Sequence, residues 1–261
     1  MKTKIMGILN INSDSFFEDS RITTDEAEQK IVQMINNGAD MIDIGALSSR
    51  PGSETISDED ELKRVRSVLD TVKKNRFYEK AQFSLDSYSP LTLDYALNCG
   101  FKIVNDITGL SNDDVCLTAK KHNASVCIMH MKGEPKNMQA NPEYDDVVKE
   151  VDDFFKERIE KAKSFGIHDI ILDAGIGFGK KLEHNIALIK HYGHFMHFGY
   201  PLLIGASRKS MIDKISPSLV SERLPGTLAI HIEAVRNGAS IVRCHDVKEH
   251  VQAIRVFEVI R

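Results

Sequence analysis

The stretch IILDAGIGFGKK at 170–181 sets one acid, Asp173, at the end of an apolar run and follows it with three glycines and two lysines. Two chemistries compete for it: a backbone that curls round phosphates, or a buried carboxylate that binds something polar. The Walker pattern GxxxxGK[ST], set on Gly179 and Lys180, needs Gly at Ala174 and Ser or Thr at Lys181, and fails at both. The dinucleotide pattern GxGxxG fails as well, because the glycines fall at 175, 177 and 179. A Gly-rich strand-to-helix turn is the plainer reading of the glycines, and the acid is left to be explained.

Other polar residues interrupt apolar runs in the same way: Asn10, Asp43, Asp86, Asn105 with Asp106, His130, Ser207, and Arg243 with His245. A single Asp at a strand end is an ordinary cap or turn former, and Asp43, Asp106 and Asp246 are assigned that role. Asp86, Asn105 and Asp173 fall inside strand bodies, where an unpaired polar group costs a few kcal/mol. They need a partner, and a polar heterocycle supplies one. Arg243 and His245 are i, i+2 on one strand and share a face. With Asn10 they make a set suited to a phosphate, since the guanidinium fork matches its oxygens. Lys209 in GASRKS reads equally as a ligand or as a surface lysine at a helix start. His191, His194 and His197 in HYGHFMH do not share one helical face and are expected at the surface without a metal.

The elements that must position these residues are eight strand-length apolar runs, at 4–11, 41–46, 82–86, 102–108, 125–130, 169–175, 201–207 and 240–246. Helical patterns separate them, for example 24–37, 58–73, 145–165 and 218–237, and glycine-bearing stops such as NNGAD (36–40) and NCGF (98–101) precede strands. Sustained strand–helix alternation means a parallel sheet. Eight repeats in 261 residues, near the roughly 250 of a closed barrel, point to one (β/α)8 TIM barrel over residues 1–261. The C-terminal strand ends then form one rim that gathers the polar residues, and closure of strand eight on strand one is expected to bring Asn10 beside Arg243 and His245.

The composition, 42% hydrophobic and 28% charged, is that of a chain able to bury a sizeable core. A net charge of -4 argues against nucleic acid as the main partner. No apolar run nears the ~18 residues of a membrane span, and the amino-terminal run lacks a cleavage site. Four scattered cysteines, 99, 116, 127 and 244, suit neither zinc nor a disulfide framework, so the expected setting is cytoplasmic.

In order along the chain, MGILNINSDSF, ADMIDIGALSSRPGSE, SLDSY, IVNDITG, MHMKGEPKNMQ, ILDAGIGFGKKLEHN, LLIGASRKS and IVRCHDVKE resemble the successive motifs of the dihydropteroate synthase family, pterin-binding barrels that sulfonamides target. The resemblance implies condensation of 6-hydroxymethyl-7,8-dihydropterin diphosphate with 4-aminobenzoate, giving 7,8-dihydropteroate and pyrophosphate in folate biosynthesis, with Mg2+. Carried over by position, Asp86, Asn105, Asp173 and Lys209 hold the pterin. Asn10, Arg243 and His245 hold the diphosphate, with Asn10 at the metal. Ser49, Arg50, Pro51 and Ser210 help to form the 4-aminobenzoate site. Asp86, Lys209, Arg243 and His245 carry the catalysis. The chain departs from the family's usual first loop, with SDSFFEDS at 13–20, and from the second, with Leu47 in place of its usual acid. Two neighbouring readings are a methyltetrahydrofolate-dependent methyltransferase on the same barrel and a pterin-binding paralogue without turnover. The resemblance also implies a homodimer through the last helices, which exposed apolar residues such as Phe257 and Ile260 permit.

Overall fold

The computed structural model describes residues 2–11, 23–45, 56–134 and 136–260. Eight strands run β1 (Lys4–Asn10), β2 (Met41–Gly45), β3 (Gln82–Asp86), β4 (Ile103–Asp106), β5 (Ser125–Met129), β6 (Ile170–Asp173), β7 (Leu202–Ile204) and β8 (Ile241–Cys244). All neighbours are parallel, and β8 pairs with β1 to close the barrel. The strands lie where the sequence puts them, with trimmed ends.

Helices cover the outside: α1 (Thr24–Asn36), α2 (Asp58–Lys74), α3 (Pro90–Asn98), α4 (Asp113–Lys121), α5 (Val147–Ser164), α6 (Leu182–Lys190), α7 (Ser210–Ile215), α8 (Leu224–Arg236) and α9 (Val247–Ile260). Their starts follow capping chemistry. Thr23 accepts from the Glu26 amide and Glu26 reaches back to Thr23 at α1, and Ser57 accepts from the Asp60 amide at α2, satisfying amides that the first helical turn leaves unpaired. The 218–237 pattern resolves into a short 3-10 turn (Val220–Glu222) and α8.

Two apolar layers hold the barrel. The larger lies between strands and helices; the smaller, inside the barrel, is Met6, Met41, Ile103, Cys127, Ile171, Leu203 and Ile241. Side chains alternate along a strand, so the next inward position is two residues further toward the C-terminal end. That step leads from Met41 to Asp43, Ile103 to Asn105, Ile171 to Asp173, Leu203 to Gly205 and Ile241 to Arg243. An apolar plug therefore forms the floor, and a polar tier stands directly on it.

Among the described residues no helix is long and apolar enough to cross a membrane. The four cysteines are buried and unpaired. Phe257 is not exposed as the sequence suggested: at 6% exposure it faces inward with His250 and Ile254, while Val256, Val259 and Ile260 form the outer stripe of α9. The helical period sorts these neighbours onto opposite faces.

Candidate active site

Arg243 anchors the polar tier. Its Nη2 lies 2.6 Å from Asp43 Oδ2 and 3.0 Å from Asp86 Oδ2, and its Nε donates to Asp43 Oδ2 at 2.7 Å. Asn105 Nδ2 donates to the same Asp43 oxygen at 3.0 Å. The register makes this possible by aligning Asp86 with Asn105 on one side and with Gly45 on the other. Asp43 is thus no helix cap. It is fully buried, its Oδ1 has no hydrogen-bond partner, and its Oδ2 binds the Arg243 guanidinium. Asp106 does play the turn-forming part expected of it, accepting from the Thr108 amide and hydroxyl and from the Leu110 amide. Asp246 instead pairs with Arg208.

Closure of β8 on β1 occurs, but the register aligns Met6 with Arg243 and Gly7 with Cys244. Asn10 therefore does not stand beside Arg243. It ends β1 further up, exposed and paired with Gly45 of β2. The stagger that tilts barrel strands produces this offset. His245, just past β8, has its Nδ1 2.9 Å from the Ser207 hydroxyl, and its amide donates to Ser207 Oγ at 3.2 Å.

Asp173 ends β6, 7% exposed, with Oδ1 accepting from the Gly175 amide at 2.8 Å. Gly205 lies next to it: a Cβ there would sit 3.9 Å from both Asp173 Oδ2 and Arg243 Cβ, in ordinary contact, so the position lies between the acid and the arginine. Lys209, at the cap position of α7, is half-buried rather than a surface lysine. Its Nζ donates to the Ile176 carbonyl and lies 4.4 Å over the Phe178 ring. Ser210 follows, exposed, as the first residue of α7. Ser49, Arg50 and Pro51, together with the first-loop residues 13–20 and Leu47, lie outside the described residues.

One buried group was hidden in the sequence. Lys180, 2% exposed, sends Nζ to the carbonyls of Gly175 and Phe178 at 3.0 Å each, to the His130 carbonyl at 3.2 Å and to within 2.9 Å of His130 Nδ1. It staples the 175–178 turn to the end of β5. Gly175 is required there, since its φ is +65° and a Cβ would stand 1.9 Å from the His130 carbonyl oxygen. Gly179 has the same need, with the Lys132 carbonyl oxygen 2.2 Å from a Cβ. The glycine–lysine signature therefore serves a tight turn and a buried lysine staple, whose pKa burial pushes well below the usual lysine range. The pattern GFGKK offered the lysine, but nothing in it signalled burial.

Electrostatics follow from burial. Desolvation raises the Asp86 pKa to about 7, with Arg243 opposing and the Asp43 and Glu61 charges adding to the rise. Asp173 is likewise raised by burial, against the pull of Lys209. Burial lowers Lys209 to about 8, with Asp173 resisting. Desolvation, then the Lys180 charge, drives His130 down to about 2, so it is neutral. Near neutral pH Asp86 and Lys209 thus stand close to their titration points, where small changes in their surroundings change their charge.

A (β/α)8 barrel with carboxylates, an amide, a lysine and an arginine standing on an apolar floor at the C-terminal rim has its polar side chains where barrel enzymes carry their active sites. Residues 6–245 match the family described as pterin binding enzyme. Dihydropteroate synthase of Escherichia coli K12 is 42% identical over 257 residues, covering 97% of this chain and 90% of that protein. The Yersinia pestis dihydropteroate synthase, solved with a sulfonamide drug complex, superposes with TM-score 0.92 at 38% identity over 99% of this chain and 93% of that one. The Thermus thermophilus enzyme in complex with 4-aminobenzoate gives TM-score 0.89 at 33% identity, covering 100% and 95%. The chain belongs to the pterin-binding enzymes and, among them, to the dihydropteroate synthase family of transferases.

Proposed function

We propose that the polar tier holds the pterin and that the condensation runs at the rim directly above it. The chain condenses 6-hydroxymethyl-7,8-dihydropterin diphosphate with 4-aminobenzoate to give 7,8-dihydropteroate and pyrophosphate, a step of folate biosynthesis. The observation that carries the residue assignment is the single tier of Asp43, Asp86, Asn105, Asp173 and Arg243, with Lys209 reaching over it from α7.

The pterin 2-amino group and the adjacent ring N–H are parallel donors, and the Asp173 carboxylate accepts them as a fork. A carboxylate has about four acceptor positions, so the Gly175 amide does not exhaust it. Lys209 and Asn105 complete the ring's hydrogen bonds. The C–O bond at the pterin methylene breaks with its electron pair going to the diphosphate, leaving a methylene cation. Asp86, ionised, faces that cation; Arg243 and His245 face the leaving group. The aniline nitrogen of 4-aminobenzoate closes the C–N bond and then loses a proton. The protein supplies fixed charge rather than a nucleophile.

The family implies Mg2+, and the donor chemistry fits: Asn10, exposed at the rim, presents a hard amide oxygen, and Mg2+ takes few protein ligands alongside phosphate oxygens and water. When bound there it would neutralise charge on the diphosphate. Ser210, exposed at the start of α7, stands on the 4-aminobenzoate side. Residues 1–261 act as one domain in the cytoplasm, without nucleic acid or membrane as partner. Two copies pair through the outer stripe of α9, a reading supported by Val256, Val259 and Ile260 at 55%, 84% and 75% exposure.

Turnover with both substrates tests the function. Pyrophosphate and dihydropteroate should form in equal amounts; a pure, folded chain that releases neither at high enzyme concentration would overturn it.

A further inference from the structure

We propose that Asp152, His194 and His197 form a surface site for a borderline divalent transition-metal ion such as Zn2+, on the outside of the barrel and separate from the pterin chemistry. His194 and His197 stand three residues apart, a spacing that already places them on neighbouring positions of a helical face. Residues Tyr192–Phe198 form a 3-10 helix, which aligns them more closely still. With three residues per turn, i and i+3 eclipse, so His194 and His197 project from one edge.

That edge faces α5. His194 Nε2 lies 2.9 Å and His197 Nε2 2.6 Å from the same oxygen, Asp152 Oδ1, and the three donor atoms all fall within 4.8 Å of one another. Around a zinc ion with bonds of about 2.0–2.1 Å, neighbouring donors stand roughly 2.9–3.4 Å apart. The observed spacing reaches that after a modest adjustment of the two rings and the carboxylate. Two imidazoles and one carboxylate suit Zn2+, Ni2+ or Cu2+ and not Mg2+ or Ca2+, which prefer all-oxygen shells. Among the described residues no other set of three such donors converges.

The backbones beneath the trio are pinned. Phe155 on α5 packs edge-to-face against Phe195 at 5.3 Å and against Phe198 at 6.1 Å, and both Phe155 and Phe195 are fully buried. His197 stacks on Phe198 at 4.0 Å. The donors thus rise from two elements whose separation is set by a closed aromatic cluster, which limits the ordering cost of binding. The histidine side chains are 47% and 50% exposed, so an ion can enter and keep water in its remaining positions. The nearby Lys149 ammonium is drawn to Asp153 at 2.7 Å rather than to Asp152. A bound ion would clamp α5 to the segment leading into β7 and add stability by linkage.

The test is titration of the intact chain with Zn2+ by calorimetry, with thermal melts in parallel, for wild type, Asp152→Asn and the His194→Ala/His197→Ala double variant. The expected result is one Zn2+ equivalent in the wild type that the double variant lacks and that Asp152→Asn weakens about tenfold or more. Zn2+ should raise the melting temperature of the wild type but not of the double variant, Mg2+ should not displace the ion, and turnover without added Zn2+ should be equal in all three. Equal Zn2+ stoichiometry and affinity in wild type and double variant, or no uptake by the wild type, would overturn the site.

Discussion

Replacing Glu61 by glutamine tests whether the buried charges behind the rim behave as described. Glu61 lies in the first turn of α2, 2% exposed, and its Oε1 has no hydrogen-bond partner. Burial, opposed by the Ser87 hydroxyl, raises its pKa from 4.5 to about 7. The sign follows from linkage: a carboxyl protonated more readily when folded loses stability for the fold as pH rises from the unfolded value through the folded one. At ~1.36 kcal/mol per pH unit, the wild type gives up about 2 to 3 kcal/mol between pH 5 and pH 8 at this residue. Glutamine keeps the shape without the charge, so its stability relative to wild type should improve by that amount over the same interval. Urea denaturation of both proteins at pH 5 and pH 8 measures it, since other titrating groups largely cancel in the difference. The Glu61 charge also contributes to the high pKa of Asp86, so the acid limb of the activity profile should move to lower pH in the variant. A stability difference equal at the two pH values would refute the reasoning.

The pH profile of kcat/KM reports groups of the free enzyme. With Asp86 ionising at about 7 and Lys209 losing its proton at about 8, it should be a narrow bell between those values; Asp86→Asn should remove the acid limb, and a flat profile would count against both assignments. Asp43→Ala strips Arg243 of one carboxylate and Asn105 of its acceptor, so unfolding in urea should show a loss of about 2 to 4 kcal/mol, whereas a harmless substitution would mean the pair is not formed. Asp173→Asn replaces a charged acceptor by a mismatched amide and should weaken pterin binding by about 1 to 3 kcal/mol in calorimetry; unchanged affinity would remove Asp173 from the role.

Strand positions were legible because buried parallel strands are short, nearly continuous apolar runs, and Asp86, Asn105 and Asp173 stood out as breaks in them. Asp43 broke its strand in the same way, but the Arg243 that explains it is 200 residues distant in sequence, and a cap was the simpler local reading. Barrel stagger has no local signature, which is why Asn10 seemed to belong beside Arg243. Lys180 hid because lysines are ordinarily solvated; only the fold brings three carbonyls round its Nζ. His194 and His197 are neighbours on a helix of either type, but the Asp152 that joins them stands 42 residues from His194 in sequence, on α5, and only the fold brings it there.

The most direct test of how the barrel mouth works is a crystal structure with 6-hydroxymethyl-7,8-dihydropterin diphosphate bound. The ring should lie inside the mouth, with the Asp173 carboxylate accepting from its 2-amino group, Lys209 donating to it, and the diphosphate reaching toward Asn10, Arg243 and His245. A pterin bound elsewhere, or seated in the mouth without contact to Asp173, would contradict that arrangement.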